Sequence, residues 1–529
     1  MTQTANPVDP ANPAPSTQAR PQAQAAGRGG VAVLGAKVFF IFSGLVQQTL
    51  LPKAIGTAEF GVLARVLAVA SVVNNVMVAS SVQGVSRAVA GAGEAEDPHV
   101  FRRALRLHLP IALALAALFW LAAPFVADFE EAPYIVTPLR VLSLVVLFYG
   151  SYAPLVGALN GRGKFTRQAA LDTIFAVLRT GALVGVGWFF FKRAGTGALG
   201  AAIGFALAAA CIIPIALRWS GTGKEGGGGT FDWKAYLAGL APLALTQLLT
   251  NALMQVDIVL LGRFLSQAAH TVKIAGASSS NAADEWVGIY RYCQYFAFLP
   301  YQLVMSVTQV LFPLVARAHA EKDRASVRLY VERGARIALL ASGALVAVVA
   351  ALPGSVLYFV YGADAAARGA DTLRTLALGQ GAFTMFGIAM TVLASLGRER
   401  VAAALSFVTL VVVGIACWGL AAHAPFGHEQ LRGNAVAVAG ALAIGLVFAA
   451  VTVSRVAGGF VPVLSIVRVC AVVGAIVFAG TYVGTLGRVL AIVASGGVVV
   501  VYLVALVILR ELGGDDLGAL RAIVGRRRA

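Results

Sequence analysis

The chain has 529 residues, of which 59% are hydrophobic and only 12% are charged, and its mean hydropathy is +0.82. This composition excludes a soluble globular protein and is typical of a polytopic helical membrane protein. The net charge of +17 does not indicate a nucleic-acid-binding protein, because the basic residues lie in short segments between apolar runs.

The chain opens with residues 1–30, which are rich in Pro, Ala and Gln and are predicted to be a disordered tail. Apolar runs of about 20 residues follow, each long enough to cross a bilayer as a helix. We predict an all-α polytopic membrane protein with about 14 transmembrane helices. The predicted spans are approximately 31–51, 60–86, 105–127, 136–159, 168–191, 197–217, 235–262, 285–316, 335–361, 373–396, 401–421, 433–454, 461–486 and 489–510.

The basic residues are distributed unevenly between the two sides of these spans. If the N-terminus is cytoplasmic, the cytoplasmic segments hold 28 of the 41 Lys and Arg residues. This asymmetry follows the positive-inside rule and agrees with an even number of spans. We therefore expect both termini to be cytoplasmic.

Two parts of the chain resemble each other weakly. Gly61 precedes Arg65 by four residues at the start of span two, and Gly288 precedes Arg291 by three residues in span eight. Similar Gly-Arg turns follow spans four and ten, at 161–164 and 397–400. Because each repeat has six spans, both have the same orientation, and such repeats usually form a substrate site at their interface. The predicted parts are a six-helix bundle at 31–218, a linker at 219–234, a second bundle at 235–457, two extra helices at 458–510 and a basic cytoplasmic tail at 511–529.

Span eight carries a polar stripe. We interpret residues 287–316 as one helix in which polar and aromatic residues recur at three- and four-residue intervals on one side. Polar groups at membrane depth must face protein or water, so the stripe indicates a water-accessible cavity. Its members are Arg291, Gln294, Tyr295, Phe298, Gln302, Met305 and Gln309.

Several strings resemble the polysaccharide-exporter branch, with its Wzx-type oligosaccharide flippases, of the multidrug/oligosaccharidyl-lipid/polysaccharide exporter superfamily. The resemblance covers roughly residues 31–510 and depends on the order and spacing of the strings. They are Leu51-Pro52 with Gly56 and Glu59-Phe60-Gly61, then 257–264, then Val287-Gly288-Ile289-Tyr290, then 299–301 and 310–313, and finally Gly397-Arg398.

The resemblance implies a flippase that moves undecaprenyl-pyrophosphate-linked oligosaccharide repeat units across the bacterial inner membrane by alternating access. The product would serve O-antigen, capsule or exopolysaccharide synthesis, with a polymerase and a chain-length regulator as partners. A Na⁺ or H⁺ gradient or the membrane potential could supply the driving force. Two alternatives stay open, a lipid II flippase and a cation-coupled multidrug antiporter. The lipid II branch carries an Arg where this chain has Tyr295, which favours the oligosaccharide flippase.

Three Arg residues are predicted to lie inside spans, namely Arg65, Arg179 and Arg291. Burying each one costs at least about 2.5–3.5 kcal/mol on insertion scales, so each is expected to have a structural partner or a function that offsets this cost. Their planar donor groups suit the pyrophosphate that the resemblance implies. The alternatives are snorkelling of Arg65 and Arg291 to the headgroups, and an ion pair of Arg179 with Asp172 or with a carboxylate on another helix.

Amide side chains form the second candidate set. Gln247, Asn251 and Gln255 share one face of span seven and could bind sugar hydroxyls, or could pack between helices. Spans one and two carry the adjacent pairs Gln47-Gln48 and Asn74-Asn75. Neighbours in a helix point to different faces, so at most one of each pair is expected to line the cavity, and Gln48 is our candidate.

Acidic residues are scarce within the predicted spans. Asp172 and Asp257 are the two candidates for ion coupling, and this scarcity argues against a cation-coupled drug antiporter. The sequence contains no P-loop, no HExxH motif and no nucleophile elbow. We therefore expect a transporter without enzymatic activity and without a cofactor.

Overall fold

The computed structural model describes residues 35, 39, 42–92, 97–221, 231–271 and 279–513. The predicted tail 1–30 lies outside the described residues, as do most of the linker 219–234 and most of the tail 511–529. Within the described part, every regular element is a helix. The predicted all-α class is therefore confirmed.

The helices follow one another with short connections. The first six are α1 (42–55), α2 (Thr57–Gly91), α3 (Asp97–Phe129), α4 (Val136–Gly161, preceded by a 3₁₀ turn at Pro133–Ile135), α5 (Phe165–Ala194) and α6 (Gly197–Ser220). The remaining ten are α7 (Trp233–Thr271), α8 (Ser279–Ala297), α9 (Leu299–Ala320), α10 (Arg324–Ala351), α11 (Pro353–Tyr361), α12 (Ala363–Ser395), α13 (Glu399–Leu420), α14 (His428–Ala457), α15 (Val463–Gly480) and α16 (Arg488–Ile508).

Twelve helices in the described part are long and apolar enough to cross a membrane. The described part of α1 and the pair α8–α9 lie where spans one and eight were predicted. Each predicted span overlaps helix in its described part, although span nine is divided between α10 and α11 and the predicted end of span thirteen, 481–486, is not helical. A bilayer core offers no water to hydrogen-bond the backbone, so an apolar chain at that depth satisfies its own N–H and C=O groups by forming helices.

The structure corrects the prediction that span eight is one helix. α8 ends at Ala297 and α9 begins at Leu299. Pro300 lies in the first turn of α9 and has no N–H, so it cannot donate to the carbonyl of Phe296. The polar stripe is therefore divided between two helices.

The connection before span eight is also more helical than predicted. α7 continues to Thr271 and α8 already begins at Ser279, so the predicted outer loop 263–284 contains the ends of two helices. Asp284, which the sequence places in a loop, consequently lies on α8.

The two predicted repeats pack in matching ways. α2 packs on α4, α4 on α6 and α5 on α6, whereas α8 packs on α12, α12 on α14 and α13 on α14. α15 and α16 pack on α10. We refer to α1–α6 as the N-terminal half and to α7–α14 as the C-terminal half.

The two halves meet most closely where α2 and α8 begin, which we call the closed end. A Cβ atom on Gly61 would overlap the carbonyl oxygen of Asp284, and one on Gly288 would lie 2.5 Å from the carbonyl oxygen of Thr57. Two glycines therefore allow backbone-to-backbone contact between α2 and α8, as is common between membrane helices.

Candidate functional site

A cavity of about 360 Å³ lies between the halves, and we call it the central cavity. It is bordered by α1, α2, α4, α5, α6 and, from the C-terminal half, α8. Its polar and aromatic lining consists of Gln47, Gln48, Ser71, Asn74, Asn75, Tyr149, Arg179, Arg291 and Tyr295, with Phe205 and aliphatic side chains between them. The described lining contains two guanidinium groups and no carboxylate.

Arg179 brings a positive charge to the cavity from α5. Its Nε donates a hydrogen bond to Oε1 of Gln47 on α1, at 3.1 Å. Its guanidinium also interacts with the hydroxyl of Tyr149 on α4. Two neighbouring helices thus orient Arg179, while the group remains at the cavity wall. Asp172 lies two turns earlier on the same helix and is half-buried.

Arg291 brings a second positive charge, from α8. Its Nη1 donates to Oε1 of Gln294 at 2.7 Å and to Oε1 of Gln255 at 3.3 Å. The guanidinium carbon also lies 4.9 Å from the centroid of the Tyr295 ring, a cation–π distance. These contacts use the amide oxygens of Gln255 and Gln294, so both residues position Arg291 and do not line the cavity.

Behind Arg291 lies a buried carboxylate. Asp257 accepts hydrogen bonds from Nε2 of Gln294 at 2.8 and 2.9 Å and from the hydroxyl of Tyr290 at 2.8 Å. Nδ2 of Asn434 donates to the backbone carbonyl of Asp257. Gln294 therefore connects the buried acid to the cationic group at the cavity. The role of Asp257 in ion coupling stays a prediction.

Both members of each adjacent amide pair line the cavity, contrary to our expectation of one. Neighbouring residues are about 100° apart on a helix, and a helix that projects into a cavity exposes a wider arc than that. Oε1 of Gln48 and Oδ1 of Asn74 are buried and have no hydrogen-bond partner. These two oxygens are acceptors available to a bound molecule.

The amides of span seven are used mainly between helices. Nδ2 of Asn75 donates to Oδ1 of Asn251 at 2.8 Å, which connects α2 to α7. Nδ2 of Asn251 donates to the backbone carbonyl of Gln247. Neither Asn251 nor Gln247 lines the central cavity, which corrects our placement of this face.

Two further predicted residues lie elsewhere. Gln302 is exposed on α9 and does not line the central cavity. The side chain of Gln309 lies outside the described residues. The part of the stripe that faces the central cavity is therefore Arg291 and Tyr295.

Arg65 does not line the cavity either, which corrects its predicted placement. It is fully buried at the closed end, where its Nε lies 2.8 Å from Oδ1 of Asp284 and its Nη1 lies 3.5 Å from Oε2 of Glu130. Nη1 also donates to Oγ of Ser266 at 3.0 Å, and the Tyr134 hydroxyl donates to Asp284 at 2.6 Å. We call Arg65, Glu130 and Asp284 the ion cluster.

Sequence reasoning missed the two acids of the ion cluster because both were assigned to outer loops. One signal could have found them, since an Arg placed inside a span needs an anionic partner. The sequence does not show which of the nearby acids folds back to supply it.

Comparisons with known proteins identify the relatives of this chain. The family model described as polysaccharide biosynthesis protein matches residues 27–319. No curated protein matches the sequence.

Solved structures show the same fold at low sequence identity. The lipid II flippase MurJ in an inward closed conformation has a TM-score of 0.68 and 14% identity, over 92% of this chain and 99% of that chain. A multidrug resistance MATE family transporter of the MOP superfamily, in an inward-facing conformation, has a TM-score of 0.59 and 16% identity, over 80% and 98%. A MOP superfamily transporter from Pyrococcus furiosus has a TM-score of 0.58 and 16% identity, over 82% and 95%.

Proposed function

The chain belongs to the polysaccharide biosynthesis protein family, and we propose that it is a flippase for lipid-linked oligosaccharide repeat units. In this proposal an undecaprenyl-pyrophosphate-linked unit crosses the bacterial cytoplasmic membrane by alternating access of the two halves, and both termini face the cytoplasm. The product serves synthesis of a surface polysaccharide, such as O-antigen, capsule or exopolysaccharide. A polymerase and a chain-length regulator act downstream.

The observation that carries the proposal is the charge of the central cavity. Arg179 from the N-terminal half and Arg291 from the C-terminal half line one cavity whose described lining contains no carboxylate. A pyrophosphate offers several oxygens to the planar donor groups of Arg, which bind phosphate strongly. A ligand that contacts both Arg residues would also connect the two halves, as a site between parallel repeats requires.

The amide oxygens complement this charge. Oε1 of Gln48 and Oδ1 of Asn74 have no partner, and an unsatisfied buried acceptor costs about 1–3 kcal/mol. Sugar hydroxyls are donors that can satisfy such acceptors. The cavity therefore combines anion-binding groups with hydroxyl-binding groups, as a sugar phosphate requires.

A second candidate substrate is lipid II, the substrate named for one of the structurally similar proteins. At 14% identity that similarity carries the fold alone, and a pyrophosphate linkage would suit the same two Arg residues. A cation-coupled drug antiporter is disfavoured, because a cationic substrate would meet two guanidinium groups in the cavity and no described carboxylate.

The test is transport by purified protein in proteoliposomes. We expect Arg291→Ala and Arg179→Ala each to slow the flipping of pyrophosphate-linked units at least about tenfold, because each removes charge-assisted hydrogen bonds worth about 1.5–3 kcal/mol. Arg432→Ala is the matched control, since Arg432 is exposed on α14. Normal rates in both cavity variants would overturn the proposal.

The same vesicles distinguish the open alternatives. Preference for repeat-unit lipids over lipid II would favour the oligosaccharide substrate, and the reverse would favour the second candidate. Imposing a proton gradient, a Na⁺ gradient or a membrane potential separately identifies the driving force. We propose that Asp257 and Asp172 take part in ion coupling, and a transport rate that responds to no ion gradient would contradict this role.

A further inference from the structure

The ion cluster has more negative than positive charge. It holds one guanidinium, Arg65, and two carboxyl groups, Glu130 and Asp284, and the three side chains are at most 2% exposed. With every group ionised the cluster would carry a net charge of −1. Burying an uncompensated charge costs several kcal/mol, whereas a carboxyl group that binds a proton avoids that cost.

Among the residues that the structure describes, the surroundings do not supply the missing positive charge. Arg263 on α7 donates to the carbonyl oxygen of Phe129 and lies over the rings of Phe129 and Trp418. Glu59 on α2 adds a further acid close enough to interact with Asp284. In the described part of the chain, Arg65 is the one basic side chain that pairs with either carboxyl group of the cluster.

The other titratable neighbours are already committed to other partners. Tyr134 on the 3₁₀ turn donates to Asp284, and Ser266 on α7 accepts from Arg65. Glu131 accepts a hydrogen bond from Gln267 on α7. Glu285 on α8 pairs with Arg368. None of these contacts neutralises the second carboxyl group.

The position of the cluster connects this charge to conformation. Arg65 lies on α2, Glu130 between α3 and the 3₁₀ turn, and Asp284 on α8. The cluster therefore joins the N-terminal half to the C-terminal half beside the Gly61–Gly288 contact. If α2 and α8 separated, water would reach all three groups, and the solvated carboxyl groups would be able to ionise separately.

We propose that the ion cluster is a proton-binding latch, in which Glu130 and Asp284 share one proton while the closed end is shut and release it when α2 and α8 separate. This inference adds proton binding at the closed end to the proposed flippase function, but the conformational cycle it describes needs no particular substrate. Only a proton is exchanged, from the carboxyl pair to water, and no other covalent bond forms or breaks, while the ion pair between Arg65 and Asp284 is replaced by water.

The titration of Glu130 agrees with the latch. Glu130 lies between two spans, and its burial raises the pKa from 4.5 to about 7, although Arg65 acts in the opposite direction. A raised pKa in the closed state means that the closed state binds the proton more tightly. Proton binding by Glu130 therefore stabilises the closed state fully at a pH below its ordinary pKa of 4.5. This stabilisation is lost as the pH rises to about 7.

The test measures closure without substrate. Spin labels at Lys53→Cys and Asn281→Cys, both exposed near the closed end, report the distance between the halves by double electron–electron resonance. The exposed Cys211 and Cys470 are first replaced by Ala. Between about pH 5 and about pH 7 we expect the open fraction to rise, with the open-to-closed ratio changing up to about tenfold per pH unit for one proton.

Glu130→Gln should remove this pH dependence and keep the closed end shut, because the amide imitates the protonated acid. Glu131→Gln is the matched control and should titrate like the unmodified protein, since Glu131 bonds Gln267 outside the cluster. If Glu130→Gln does not fold, Asp284→Asn should show the same loss. The latch would be contradicted if the open fraction of a folded Glu130→Gln or Asp284→Asn variant kept its pH dependence. It would also be contradicted if the Glu131→Gln control lost that dependence. Because no substrate is present, failure here leaves the proposed function untouched, and failure of transport leaves the latch untouched.

Discussion

At the scale of single residues, the environment of each buried Arg decides what it does. Arg65 is enclosed by two acids, whereas Arg291 has amide partners and an aromatic ring and lies at the cavity wall. An acid neutralises a guanidinium, while an amide orients it without removing its charge. The sequence could predict that each buried Arg needs a partner or a ligand. It could not distinguish their roles, because the partners come from other helices.

The unpartnered amide oxygens allow a prediction at this scale. Gln48→Leu and Asn74→Leu should each raise the apparent KM for the lipid-linked substrate by up to about tenfold, since each removes a hydrogen bond worth about 0.5–1.5 kcal/mol. Thermal stability should not fall, because the oxygens that are removed have no partner in the protein. Both quantities are measured on purified protein, by transport kinetics and by thermal unfolding in detergent.

Gln302→Leu serves as the comparison for these two variants. Gln302 is exposed on α9 and does not line the central cavity, so its replacement should leave the KM unchanged. A lower melting temperature with an unchanged KM in Gln48→Leu and Asn74→Leu would show that these amides are structural.

At the scale of helices, length and apolar content predicted approximately where the described spans lie, because a bilayer imposes both. The ends and interruptions were harder to predict. Polar residues such as Asp284 are assigned to a loop when their partners are unknown. In the structure, Asp284 lies on α8 and forms a buried ion pair with Arg65. The break before Pro300 could not be predicted from the proline alone, because prolines such as Pro110, Pro154 and Pro242 lie inside unbroken helices of the same chain.

The contact between α2 and α8 gives a prediction about a helix pair. In Gly61→Ala the new methyl group would overlap the backbone carbonyl of Asp284, which cannot move without shifting α8. We therefore expect this variant to favour separation of α2 and α8 and to lower the transport rate at least about tenfold, because helix backbones in such contacts cannot accommodate a methyl group. Spin labels at Lys53→Cys and Asn281→Cys should show the longer distance at every pH.

Gly185→Ala controls for the general effect of replacing a helical glycine. A Cβ at Gly185 on α5 would meet no heavy atom within 4 Å, so this variant should transport normally. It should be equally or slightly more stable, by up to about 1 kcal/mol, because Ala favours helix. Normal closure in Gly61→Ala would mean that the two helices do not need their close approach.

At the scale of the whole molecule, the two halves that the weak sequence repeat suggested show a similar order of helix packing. α2, α4 and α6 pack in the same order as α8, α12 and α14. The division into two bundles is still a prediction, since matched packing does not show that the halves move as units. How far apart the halves stand, and where the cavity opens, could not come from the sequence, because both depend on contacts between distant segments.

Cutting the chain between the halves tests that division. A protease site inserted between Gly221 and Phe231 would allow cleavage after folding and purification. The halves should stay together and transport within about twofold of the uncut protein, because connecting segments contribute little when the parts they join are packed. The contacts that should hold them include Arg65–Asp284 and Asn75–Asn251, with α2 packed on both α7 and α8.

The uncut protein with the same insertion is the control, and gel filtration after complete cleavage is the measurement. Separation of the fragments would mean that the linker itself holds the halves together, and co-elution without transport would mean that the linker couples their movement.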